Sequence, residues 1–263
     1  MTYFFTTLAV GEPYFSKSLD FYTAIHEKTQ QGYFNITTCE EDFKKLPDIV
    51  GLPYEEFKEK YPKLDITTVE SFNARSQFPL HMEGYGFTFN LNLKVLALKA
   101  CLNKGIPFEY IIFADGDWGL HDGFAEEKLF TFFNNLEVMD IDVAFERPAQ
   151  IGNYKSNGLE NCFFEEKLRD YNVLEHEIWD EAHVVNEQFL GFRNNWKFRL
   201  FVQKWESMLW YSIANNIRNY PDGFEIGVAA LESKMNWNWH MFVPLTECFY
   251  FYPKYHDTKY IKF

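Results

Sequence analysis

Tyr3 to Ala9 (YFFTTLA) is a short β-rich run that closes on a Gly11-Glu12-Pro13 turn. Apolar positions then recur at mixed three- and four-residue spacing, Tyr14, Leu19, Phe21, Tyr22 and Ile25, which predicts a helix. Gly32 ends that pattern, and Tyr33 to Thr38 (YFNITT) reads as a second strand. Strand, helix, strand is the repeating unit of a parallel α/β sheet. Residues 47–64 are polar and interrupted by proline, and predict a short helix inside a connecting loop.

Asn90 to Asn103 (NLNLKVLALKACLN) carries Leu91, Val95, Leu98 and Leu102 on one face, with Gly105 to end the helix and Pro107 to prevent its resumption. Tyr110 to Ala114 (YIIFA) is continuously apolar, as a central strand buried on both faces must be. It runs into Asp115-Gly116-Asp117. Asp122 is placed to cap a helix reaching about Leu136, and Ile141 to Phe145 resumes strand character. Trp196 to Tyr220 predicts a long helix with Leu200, Phe201, Trp205, Met208 and Leu209 inward, and the tail from Met241 reads as extended. Alternating strands and helices give an α/β fold with a mixed, mostly parallel sheet flanked by helices. Such sheets bind ligands beyond the carboxyl ends of their strands, which is where Asp115 and Asp117 fall.

Composition narrows the function. With 29 Phe, 16 Tyr and 7 Trp in 263 residues, the chain can bury enough apolar surface to fold, which excludes disorder. No apolar run approaches the roughly 18–20 residues of a membrane span, and residues 1–11 lack the basic start and cleavage site of a secretory signal. The expectation is a soluble cytoplasmic protein, of a bacterium or of a virus-infected host cell. Four cysteines, Cys39, Cys101, Cys162 and Cys248, are widely spaced and expected to be reduced. The net charge of −13 opposes binding to nucleic acid or anionic lipid over the whole surface. It is unevenly distributed, however: residues 1–189 carry −16 and residues 190–263 carry +3.

Two carboxylates separated by a glycine at the end of a buried strand need hydrogen bonds, charge partners or a cation. Two hard oxygen ligands suit Mg²⁺ or Mn²⁺ shared with substrate phosphates. The competing reading is a β-turn in which Asp accepts backbone N–H groups and Gly supplies the turn.

The order of FFTTLAVGEPY, YIIFADGDW, VNEQFLGFRN, YPDGFEIGVAALE and NWNWH resembles the nucleotide-sugar-dependent glycosyltransferases of the GT-A fold. The resemblance implies a single domain with a nucleotide-sugar-binding half over residues 1–146 and an acceptor-binding half over residues 147–263. It implies that Thr7, Ala9 and Gly11 line the base and ribose pocket, with Tyr14 stacking nearby. Lys94, rather than Lys99 on the same helix, would face the diphosphate. Asp115 would contact ribose or metal, while Asp117 and His240 would hold Mn²⁺ or Mg²⁺. Glu225 matches the acceptor-side acidic position and would deprotonate the acceptor hydroxyl, with Asp180, in a cluster with Glu181 and His183, as the second candidate base. Their plain readings are a helix N-terminal charge for Glu225 and a solvated loop for the cluster. Trp118, Trp237 and Trp239 are the candidate aromatic walls for the acceptor.

On this reading the donor is a nucleoside-diphosphate sugar, UDP-linked by preference, and the acceptor a hydroxyl of a glycan or small molecule. One alternative keeps the chemistry but makes the acceptor hydroxymethylated cytosine in DNA, as in bacteriophage enzymes, with the mildly basic C-terminal segment receiving the base. The other alternative is a catalytically silent nucleotide-sugar-binding protein. Donor sugar, stereochemical outcome and oligomeric state do not follow from sequence.

Overall fold

A computed structural model describes residues 1–73, 91–116, 118–145, 152–153, 183–184, 189–215, 222–238, 245 and 248–251. The opening unit is as expected: β1 (Tyr3–Leu8), α1 (Tyr14–Glu27) and β2 (Gly32–Thr38), with β1 and β2 parallel and Tyr3 level with Gly32. Residues 47–64, expected to hold one short helix in a loop, belong to a more regular stretch over residues 40–68. That stretch forms α2 (Glu40–Val50), α3 (Tyr54–Lys60) and a further parallel strand, β3 (Leu64–Thr68). Pro47 sits inside α2 without ending it. Leu46 is buried, and Gly51, at φ +69°, terminates the helix by donating to the Pro47 carbonyl.

A 3₁₀ turn (Leu91–Leu93) leads into α4 (Lys94–Asn103). Its burial is wider than the single stripe predicted, covering Lys94 to Leu98 without a break, because α4 lies between the sheet and the later helix Trp196–Ala214. Gly105 follows with φ +67°, the left-handed conformation that closes the helix. Next come β4 (Tyr110–Ala114), β5 (Trp118–Leu120), α5 (Glu126–Val138) and β6 (Val143–Phe145). Asp122 does not cap α5. It lies in a turn closed by Phe124 N–H on the His121 carbonyl, and the helix starts at Glu126 after an extended Ala125.

The remaining elements are the two-residue strands β7 (Gly152–Asn153) and β8 (His183–Val184), then β9 (Phe189–Arg193), α6 (Trp196–Ala214), α7 (Asp222–Glu232), β10 (Trp237–Asn238) and β11 (Phe249–Phe251). Asn195 caps α6 through its side-chain oxygen, which accepts from Phe198 N–H.

Seven strands form one sheet in the order β10-β6-β9-β4-β1-β2-β3. Only β9 runs against the others, pairing antiparallel with both β4 and β6. The α/β class and the mixed, mostly parallel sheet are therefore as predicted, and strands from both halves of the chain build this seven-stranded sheet, beside which β11 pairs with β5 and β7 with β8. Side-chain alternation divides the core. Tyr3, Phe5 and Ala9 pack with Leu19, Tyr22 and Ile25 of α1 and Phe132, Phe133 of α5. Phe4 and Leu8 pack on the opposite face with Val95 and Leu98 of α4, Trp205 of α6 and Ile226 of α7. Tyr110 stacks on Phe133 at 4.4 Å between centroids. Among the described residues, no helix is long and apolar enough to cross a membrane.

Candidate functional site

The site is built where β1 and β4 end side by side. The two strands are parallel, with Thr6 level with Phe113, so three residues further on Ala9 comes level with Gly116. A methyl group on Gly116 would lie 3.0 Å from Ser18 Oγ, 3.3 Å from Ala9 Cβ and 3.4 Å from Tyr14 Cβ. Glycine is what lets the end of β4 press against the first turns of α1. The Ser18 hydroxyl reinforces the contact by donating to the Gly116 carbonyl at 3.4 Å.

The turn after β1 is fixed from a second direction. Gly11, at φ +80°, donates its N–H to Asp42 Oδ2 at 2.5 Å. Asp42 is buried in the first turn of α2, and Lys45 Nζ lies 3.3 Å from its other oxygen. The neighbouring Cys39 thiol donates to Asp42 at 3.3 Å, and burial pushes its pKa up to about 11. Cys39 is therefore a protonated thiol at neutral pH and no nucleophile. The described cysteines Cys39, Cys101 and Cys248 are free and buried, in keeping with the reduced state expected.

Above β4, Asp115 meets Lys94. The carboxylate Oδ1 and the ammonium are 2.8 Å apart, with side chains only 11% and 7% exposed. Lys94 is the first residue of α4, and its Nζ also lies 5.8 Å from the centre of the Phe113 ring. A desolvated pair of this kind holds both groups in place, because removing either charge leaves the other buried and uncompensated. Lys99 is directed elsewhere: its ammonium pairs with Glu206 of α6, which also accepts from Trp210 Nε1 at 2.9 Å. The two lysines of one helix thus have separate partners, and Lys94 alone of the two reaches the end of β4.

The structure gathers Ala9, Gly11, Tyr14, Lys94 and Asp115 around the paired strand ends. Thr7 belongs to the same strand but is fully buried beneath them, its hydroxyl 3.4 Å from the Leu8 carbonyl. Glu225 lies on α7, which packs against the 3₁₀ turn just before Lys94 and against α6. It is fully buried in the first turn of that helix rather than exposed there.

Two aromatic candidates do not face the paired strand ends as open walls. Trp118 is 5% exposed, with its ring 4.8 Å from Phe189 in an edge contact, so it belongs to the core and offers no open face to an acceptor. Trp237 is level with Val143, and through β9 with Ile111. That is three strand spacings and four residues from Asp115, about 14 Å across the sheet and about 13 Å along it. Asp117, Asp180, Glu181, Trp239 and His240 lie outside the described residues, and His183 is described only as backbone in β8.

Asp42, Ser18 and Gly116 were not singled out from sequence. For Gly116 the signal was its place within Asp-Gly-Asp. For Asp42 it was an acidic residue in the first turn of an amphipathic segment, which says nothing of a partner 31 residues away.

Among the described residues, no group of three or more His, Cys, Asp or Glu side chains gathers as a metal site would require. The carboxylate at hand, Asp115, already carries an ammonium. This part of the donor set does not fit a divalent cation.

No protein-family model matches the sequence, and no curated protein matches it. Among solved structures the chain is similar to the crystal structure of mouse xyloside xylosyltransferase 1 in its apo form. The TM-score is 0.46 and the identity 10%, over 90% of this chain and 84% of that chain. A likeness at this level carries no residue role or activity across.

Proposed function

We propose that the protein is a GT-A-type glycosyltransferase that moves a sugar from a nucleoside-diphosphate sugar to an acceptor hydroxyl. The observation that carries this reading is the buried Lys94–Asp115 pair, set at the carboxyl end of a central strand beside the glycine turn after β1. Open α/β sheets take their ligands at this end, and a fixed cation with a fixed carboxylate suits a ligand that is anionic at one point and rich in hydroxyls at another.

In this reading the turn Ala9–Gly11, braced by Asp42, and Tyr14 receive the nucleoside, and Asp115 accepts hydrogen bonds from donor hydroxyls. The Lys94 ammonium stabilises charge on the departing diphosphate. Glu225, buried on α7, is the base that takes the acceptor proton. A divalent cation, when bound, would supply charge neutralisation at the diphosphate. Mn²⁺ or Mg²⁺ dependence is part of the proposal that rests on Asp117 and His240, and chelation tests it.

The acceptor is proposed to be a glycan or small molecule. The DNA alternative relied on basic residues after position 190, and two of these are engaged: Arg193 with Glu137 and Asp140, and Lys197 with Asp142 at 2.7 Å.

The test is thermal stabilisation by a panel of UDP-, GDP- and other nucleotide sugars, repeated on Asp115→Asn. At 100 times Kd a donor stabilises by about 2.7 kcal/mol. The expected outcome is stabilisation by one nucleotide class, reduced in the variant. Absence of any shift, with transfer to no acceptor, would reject the reading.

A further inference from the structure

We propose that Trp205 is a positioning residue for the donor: its indole N–H fixes the 3₁₀ turn before α4 and thereby aims Lys94 at the diphosphate. The proposal rests on the donor reading of Lys94 and adds the means by which that side chain is directed. Trp205 lies at the middle of α6, fully buried, and its Nε1 donates to Asn92 Oδ1 at 2.8 Å across 113 positions of chain. Asn92 is fully buried as well and is the central residue of the Leu91–Leu93 turn, which runs directly into Lys94.

An indole N–H enclosed in a core needs an acceptor, and its single donor direction makes the bond a geometric constraint. It fixes a point on the turn and not only the spacing of two helices. A second tie holds the same helix further on, since Glu206, the residue after Trp205, pairs with Lys99. On α4 the two contacts, at positions 92 and 99, are about two turns or about 10 Å apart, so α6 restrains both the tilt and the rotation of α4. Rotation is what matters for Lys94. At roughly 5–6 Å from a helix axis, a turn of about 20° moves a side-chain group by about 2 Å. That is most of the 2.8 Å between Lys94 Nζ and Asp115 Oδ1. Asn92 is two positions from Lys94 and its side chain is short, whereas the tie at Lys99 runs through a long side chain that is 31% exposed and can adjust. The Trp205 bond is therefore the closer control over where the ammonium lies.

The probes are UDP and GDP, titrated into the full chain by calorimetry, and the ligand-free readout is the side-chain ammonium resonance that disappears in Lys94→Met. Trp205→Phe keeps a ring beside Phe201, 5.8 Å away in the wild type, and removes the N–H. It is expected to bind the nucleotide at least fivefold more weakly and to shift or broaden the Lys94 resonance. Asn92→Ala breaks the bond from the other side and should do the same, and circular dichroism establishes that each variant is folded. Phe198→Leu disturbs the same helix two turns before Trp205, where Phe198 packs 5.2 Å from Phe192, and should leave both readouts as in the wild type. In the presence of Lys94→Met, Trp205→Phe should cost no further affinity, because its effect passes through Lys94; a purely structural role would cost the same with or without that lysine. An unmoved Lys94 resonance in folded Trp205→Phe and Asn92→Ala overturns the proposal, as does an equal loss of affinity with and without Lys94. Failure of the donor reading would look different, with Lys94→Met binding nucleotide as the wild type does while the Lys94 resonance still moves in Trp205→Phe.

Discussion

Gly11 gives its backbone N–H to the carboxylate of Asp42, 2.5 Å away, and thereby ties the turn after the first strand to a helix that begins after the second strand. The bond adds a long-range tie to a turn whose Gly11 carbonyl also accepts from Phe15 N–H. Asp42→Ala leaves a half-buried N–H without its charged acceptor, which typically costs about 1–3 kcal/mol. The variant should unfold at lower denaturant concentration by that amount and bind nucleotide sugar less tightly. Unchanged stability together with unchanged donor binding would remove Asp42 from the site's support.

Gly116 tests the close approach of β4 to α1. Gly116→Ala puts a methyl group 3.0 Å from Ser18 Oγ and 3.3 Å from Ala9 Cβ, so the two elements must part by a few tenths of an ångström. Overpacking of this kind costs about 1–3 kcal/mol. Ser18→Ala removes the nearest atom and should recover part of that loss in the double variant. Strict additivity of the two changes in chemical denaturation would mean that they do not touch as described.

Lys94 and Lys99 look alike in the sequence and are separated by their partners. Lys99→Met breaks the partly buried pair with Glu206 between α4 and α6, at a cost of about 1–2 kcal/mol. It should leave donor-induced stabilisation intact, whereas Asp115→Asn should diminish it. A donor response lost equally in Lys99→Met would shift the cationic part of the site to the other lysine.

Those tests bear on what could be read from sequence alone. The α/β class was legible because YIIFA is apolar without alternation, and only a strand covered on both faces tolerates that. Asp115 was legible because it follows that strand. β3 was hidden because an edge strand of five residues, half-buried after Leu64, leaves little pattern. α2 was hidden because Pro47 reads as a helix breaker, whereas the burial of Leu46 and the Gly51 cap outweigh its missing N–H. The burial of Trp118 was hidden for a different reason. In a chain with so many rings, whether one is wall or core depends on its partner, here Phe189, which lies 71 positions away. Tertiary partners at that distance have no periodic signature.

Asp142 shows the same limit and supplies a stability test. It is 1% exposed and accepts from Asn195 Nδ2 at 2.6 Å, Lys197 Nζ at 2.7 Å and Asn236 N–H at 2.8 Å, joining the start of β6 to α6 and to the approach of β10. Burial alone would raise its pKa, but Lys197 and the hydrogen bonds from Asn236 and Asn195 prevail and hold it below the ordinary carboxylate value. A depressed folded pKa means stability that is present above the unfolded value near 3.9 and lost as pH falls through the folded one. Asp142→Asn should cost about 2–3 kcal/mol at pH 7, below the 3–5 of a fully enclosed pair because Lys197 is one-fifth exposed. The difference from wild type should shrink below about pH 4. A difference that stays constant from pH 7 to pH 3 would show that charge has no part in the contribution of Asp142.

His26 predicts a pH dependence of the opposite chemical kind, on the other face of the sheet. Its ring lies 5.7 Å from Phe34 and 5.4 Å from Tyr61, and its Nε2 is buried without a hydrogen-bond partner. Burial lowers its pKa, with Lys63 and Lys58 pushing the same way and Glu27 opposing them. The unfolded chain therefore takes up a proton near pH 6.5 that the folded chain refuses until lower pH. Between those two values the unfolded state binds more protons, so stability declines as pH falls through about 6.5 and levels off below the folded pKa. His26→Phe keeps an aromatic ring between Phe34 and Tyr61 and removes the titration. The melting temperature of the wild type should fall more steeply than that of the variant between pH 7.5 and pH 5.5. Parallel slopes over that interval would show that the half-buried imidazole does not set the acid sensitivity of this face.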